Sequence, residues 1–178
     1  MKLKTSEMTL MALLVALLCV SSYIIIPLPL ASISTHTLVV NLMGLLLSPG
    51  KAALCVLVWM LLGLCGVPVF TGGTSGLARL LGPSGGYWMA WIVAAVLISL
   101  LKGKQFSFKR FLSCCIFIGI PVIYLGGALW MKFTVGIHDL NKLLVASVIP
   151  FIPGDLLKCF LASVLARAVI RARGRRES

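Results

Sequence analysis

VIPFIPGDLLKCFLAS, residues 148–163, places an acid, a base, two prolines and a glycine inside an apolar run. The run reads as a membrane helix. A charged side chain in mid-bilayer costs about 2.5–3.5 kcal/mol on insertion scales, so Asp155 and Lys158 should face the interior of a helical bundle and find partners there. Their spacing of three residues puts both on one helix face. If the last helix runs from about Lys142 to Arg167, Asp155 lies about 20 Å from its outer end, near mid-membrane. Pro150 and Pro153 loosen backbone pairing, which a membrane tolerates only beside protein or a cavity. Two readings stay open. Asp155, in the first turn after Pro153-Gly154, pairs with Lys158 alone, or a polar ligand completes the pair.

Working outward, the chain has 178 residues, of which 60% are hydrophobic and 11% charged. Its mean hydropathy is +1.10, so the solvent it suits is mostly lipid. Six stretches approach the length of about 20 residues that a spanning helix needs: 5–26, 36–49, 51–66, 84–101, 111–131 and 143–170. Pro27-Leu28-Pro29, Ser48-Pro49-Gly50 and the glycine-rich 71–86 stretch punctuate them. The second and third are short, and the topology favours two helices over one. The first segment has the look of a secretory signal, but the spans that follow make it the first membrane helix. With both termini cytoplasmic, twelve Lys and Arg fall inside and three (Arg79, Lys132 and Lys142) outside, with Lys158 in the membrane. That asymmetry supports the even count and the orientation. The expected architecture is all-α: six transmembrane helices in one bundle over residues 1–178, with a pocket opening outward. The basic tail anchors it and touches membrane lipid.

Several functions are excluded. The net charge of +12 forms no stripe for nucleic acid but sits between oily segments. The six cysteines lack C-x-x-C spacing and read as small buried hydrophobes, not as metal or redox ligands. Gly44-Leu-Leu-Leu-Ser-Pro-Gly50-Lys51-Ala52 is one residue too long for a P-loop and has Ala where the hydroxyl belongs, so ATP-driven work needs a partner. Asp155 is the only acid at membrane depth, which rules out an aspartyl dyad. His138-Asp139 reads as a polar outer turn, and Ser75 lacks the order of a nucleophile elbow. No cofactor, metal or catalytic residue is expected.

Arg79 lies among glycines in TGGTSGLARLLGPSGGYW (71–88), the pattern of a loop folded over something, with Tyr87 and Trp88 at its end. This run, with GVPVF before it, the preceding PLPLASISTHTLVVNLMGLLLSPGKAALCVLVWMLLGLCG and the later PFIPGDLLK (150–158), resembles the biotin-specific substrate-binding component of energy-coupling-factor transporters. The likeness covers nearly the whole chain. It implies a multi-pass, high-affinity biotin-capture subunit of a prokaryotic plasma membrane, working with a transmembrane coupling protein and two ATPases. It also implies that Asp155, Lys158 and Arg79 bind the vitamin, and that Ala12 and Ala16, an Ala-x-x-x-Ala face, meet the coupling protein. Many relatives carry Gln where this chain reads Ser34-Thr35-His36-Thr37. His36 can donate or accept one hydrogen bond there, and Asn41 and Tyr87 are further candidates for the ligand. The alternatives are another vitamin on the same scaffold, or an intramembrane enzyme or structural membrane subunit.

Overall fold

The computed structural model describes residues 5–26, 33–103, 105–136, 139, 145 and 148–177. Seven helices lie within them: α1 Thr5–Ser21, α2 His36–Leu46, α3 Pro49–Leu64, α4 Leu77–Leu80, α5 Gly85–Leu101, α6 Phe108–Thr134 and α7 Ile152–Glu177. A two-residue antiparallel pair, Ile25–Ile26 with Ile33–Ser34, is the one sheet among the described residues. The class is all-α, as expected, but the helix count is not six. The extra helix is α4, a single turn closed by Leu81 N–H to the Leu77 carbonyl inside the glycine-rich stretch.

Several boundaries also differ from the sequence reading: α6 begins at Phe108 rather than 111, and α7 runs on to Glu177 rather than 170. α1 stops at Ser21, whose hydroxyl turns back onto the Leu18 carbonyl at 2.7 Å. α7 starts at Ile152 rather than near 143, after a 3₁₀ turn over Ile149–Phe151. The prolines explain it: Pro153 has no N–H to donate, so it fits the first helical turn, where none is needed. Asp155 therefore sits in the first turn of α7, not about 20 Å along a helix begun at Lys142. Lys142 and His138 lie outside the described residues. The short second and third spans are two helices, broken at Ser48, whose backbone is extended ahead of Pro49.

Pairwise contacts fix the relative directions within two sets of the longer helices. Lys51 on α3 pairs with Glu7 on α1 at 2.7 Å. One turn on, Cys55 Sγ lies 4.0 Å from the Met11 carbonyl oxygen, so α1 and α3 run parallel. Thr37 and Asn41 on α2 meet Asp155 and Cys159 on α7 with one offset, so these two are parallel as well. The α5 C-terminus lies beside that of α2: Lys102 Nζ donates to the carbonyls of Gly44, Leu45 and Leu47, and Ser99 Oγ to Leu47 at 2.6 Å. α6 is antiparallel to α5. Gly86 backs onto Trp130 and Gly126 onto Ala90, contacts that a larger residue at either glycine would block.

The core gathers Trp59, Phe70, Trp88 and Trp91 around the ends of α2 and α5. Gly63 admits the Phe70 ring, which any Cβ there would strike. Leu13, Leu17, Phe117, Leu125 and Phe133 point outward and are exposed, the surface of a protein whose solvent is lipid. α6, with 27 residues, is long and apolar enough to cross a bilayer; α1, α2, α3 and α5 are shorter apolar helices. Four of the cysteines are buried, as read from the sequence, whereas Cys19 is half-buried and Cys65 is exposed at the end of α3.

Candidate functional site

A small cavity of about 50 Å³ forms where the first turns of α2, α5 and α7 meet the middle of α6. Its walls are Tyr87, Trp88, Trp91 and Phe151, its floor Thr37, Tyr124, Asp155 and Lys158, and its rim Ser34, Thr71 and Ser84. The arrangement pairs an apolar slot with a compact polar end, the usual makeup of a small-molecule site.

Asp155 is 5% exposed, and its carboxylate is held from three sides. Lys158 Nζ donates to its Oδ1 at 2.8 Å and Thr37 Oγ1 to the same oxygen at 3.1 Å. Tyr124 OH donates to Oδ2 at 2.9 Å. The two charges thus grip each other, as the self-pairing reading had it, and both still face the cavity. The α7 dipole adds to the stability of the anion in its first turn.

A defect in α6 precedes Tyr124. Pro121 can donate no hydrogen bond to the carbonyl four residues back, and α6 passes through a π turn at Cys115–Gly119 just before it. The extra residue rotates all that follows, including Tyr124. Gly119 lets the turn close on its neighbours, since a Cβ there would lie 2.9 Å from Asn41 Oδ1 and Ile98 Cδ1.

Other candidates stand at varying distances from the cavity. Arg79 is exposed on α4, where its Nε donates to Thr74 Oγ1 at 3.0 Å, and it is absent from the lining. His36 is wholly buried behind the wall, stacked on Trp91 at 5.1 Å and edge-on to Trp59 at 5.5 Å. Its ring nitrogens meet no hydrogen-bond partner among the described residues, and its neighbour Thr37 reaches the cavity instead. Asn41 lies one turn below Thr37 and donates to Cys159 Sγ at 3.4 Å. Tyr87 lines the cavity directly. Ala12 and Ala16 are exposed on α1 along a groove shared with Leu54, Val58 and Leu62 of α3. Asp139 is exposed and does not line the cavity.

A family model described as the BioY family matches residues 1–175. This chain belongs to the BioY family. Two relatives of this BioY chain are a biotin transporter BioY2 of Lactococcus lactis, 35% identical over 95% of this chain and 92% of the relative, and a probable biotin transporter BioY of Pyrococcus horikoshii, 36% identical over 92% and 96%. Among solved structures, the S-component for biotin from an ECF-type ABC transporter superposes with a TM-score of 0.85 at 28% identity, covering 96% of this chain and 95% of that one. BioY transporters are membrane proteins, in keeping with the lipid-facing surface described above.

The sequence reading of this BioY chain missed Thr37 and Tyr124. A hydroxyl in an apolar helix more often bonds its own backbone, as Ser163 does to the Cys159 carbonyl at 2.9 Å. For Tyr124, the signal available in the sequence was Pro121 three residues earlier, a proline inside an apolar span that had to distort its helix.

Proposed function

We propose that this chain captures biotin with high affinity outside a prokaryotic cell and delivers it through an energy-coupling-factor module. It is a carrier subunit, not an enzyme. The observation that carries the reading is the Asp155–Lys158 pair at the polar end of an otherwise aromatic slot. Biotin offers the complement: a ureido ring with two N–H donors and a carbonyl, an apolar sulfur ring and chain, and a terminal carboxylate. Asp155 accepts a ureido N–H, Lys158 donates to the carbonyl beside it, and Trp88, Trp91, Tyr87 and Phe151 hold the apolar middle. The carboxylate then points to the rim, where Ser84 and Thr71 stand and where Arg79 approaches by movement of the glycine-rich loop. His36 and Asn41 support the site from behind.

Helix directions and charge placement support the orientation. α1, α2, α3, α5, α6 and α7 make six crossings with both termini inside. On that count α2, α5 and α7 all run inward, which agrees with their mutual packing, and the pocket faces out. Ala12 and Ala16 then present the α1 face to a coupling protein that is driven by two ATPases, since small residues four apart allow close helix approach.

The test is direct binding of labelled biotin to the purified protein in mild detergent, together with mass spectrometry of whatever small molecule co-purifies. Asp155→Ala and Lys158→Ala should each weaken binding while the protein remains monodisperse. No biotin found and none bound on addition, or displacement by a different vitamin at lower concentration, would sink the reading.

A further inference from the structure

The hydrogen bonds around Asp155 can be counted. A carboxylate has about four acceptor positions. Lys158 and Thr37 fill two on Oδ1, at 2.8 and 3.1 Å, and Tyr124 fills one on Oδ2, at 2.9 Å. Among the described residues, one acceptor position is left for a ligand, on Oδ2. An ammonium carries three N–H donors, and Lys158 uses one of them on Asp155. The polar end of the pocket therefore offers one acceptor beside a donor. That matches a neutral edge with one N–H next to one C=O, as a cyclic urea presents. A group with only donors on that edge, an amidinium or guanidinium, finds one acceptor where it wants two and meets the Lys158 ammonium besides.

Resting on the biotin reading above, we infer that Tyr124 and Thr37 are specificity-determining residues: by filling acceptor positions on Asp155 they restrict the site to urea-like ligands against donor-only analogues. Both act on the ligand through Asp155, beside which they line the cavity. Tyr124 is aimed by the π turn and Pro121, and Thr37 by the first turn of α2, so each hydroxyl reaches Asp155 from a different helix.

The experiment compares biotin with 2-iminobiotin, its guanidino analogue, by competition on the purified full chain and its Tyr124→Phe and Thr37→Val variants. Each substitution removes one donor and returns one acceptor position to Asp155. A hydrogen bond to a charged group contributes enough to move the ratio of the two dissociation constants by about tenfold per substitution. The expected result is a shift of that ratio toward 2-iminobiotin in both variants. A merely structural role weakens both ligands equally, and an unchanged ratio in either correctly folded variant overturns the inference while leaving the biotin reading intact. If Tyr124→Phe does not yield monodisperse protein, Thr37→Val decides alone. A wild-type chain that binds neither ligand overturns the biotin reading, and this inference with it.

Discussion

Replacing Lys158 with Met strands the carboxylate of Asp155 in a place where its side chain is 6% exposed, and replacing Asp155 with Leu strands the ammonium of Lys158 at 11%. At the observed separation of 2.8 Å the two charges attract by about 6 kcal/mol at an effective dielectric of about 20. Desolvation of both ions offsets most of that, so the net value of the pair is small, but breaking it leaves the desolvation with nothing against it. Each single substitution is expected to lower stability by about 3–5 kcal/mol, and the double substitution to return close to wild type. The two singles should also differ. Asp155 without Lys158 keeps the hydroxyls of Thr37 and Tyr124, whereas the bond to Asp155 is the interaction seen for the Lys158 ammonium among the described residues. Lys158→Met should therefore be the milder change. Denaturant unfolding of all four proteins in one detergent measures this, with labelled biotin as a separate readout that should be weak in all three variants. A double variant as unstable as the sum of the singles would refute the reasoning, since the charges would then be acting independently.

Gly63→Ala should lower stability by about 1–3 kcal/mol, because its Cβ meets the Phe70 ring and the aromatic core must shift to admit it; thermal unfolding reads this out, and an unchanged midpoint would mean that the core yields freely. In a background without native cysteines, Lys132→Cys should react with a membrane-impermeant maleimide added to intact cells, and Ser107→Cys, at the exposed start of α6, only after permeabilisation; the reverse pattern would invert the topology. Ala12→Leu with Ala16→Leu should fill the groove between α1 and α3. Biotin binding to the purified variant should persist while uptake by cells supplying the coupling module falls, and retained uptake would move the partner contact elsewhere.

The sequence carried the fold where its signals were local. Ser48-Pro49-Gly50 separated α2 from α3 as read, because a proline after an extended serine starts a new helix whatever lies around it. The start of α7 was misplaced because residues 143–151 stay apolar, so hydropathy alone runs on past a boundary that Pro150 and Pro153 set. α4 was missed because four residues carry too little periodicity to stand out among glycines. At the site, Asp155 and Lys158 were legible as charges where lipid was expected. Thr37 and Tyr124 were not, since each meets Asp155 across more than thirty residues of chain, a proximity that only the packing of α2 and α6 on α7 creates. His36 looked like a ligand group for want of any view of Trp59 and Trp91, which enclose it.

The parallel course of α2, α5 and α7 has an electrostatic result. All three begin at the cavity: Thr37 lies in the first turn of α2, Tyr87 and Trp88 in that of α5, and Asp155 in that of α7. Each helix start carries about half a positive charge on its unpaired N–H groups, and here three such ends converge in a setting that water screens poorly. The pocket is thus biased toward anions by backbone alone, beyond what any side chain supplies. A ligand bearing a carboxylate is drawn toward these helix ends, and its methyl ester, alike in shape, is not.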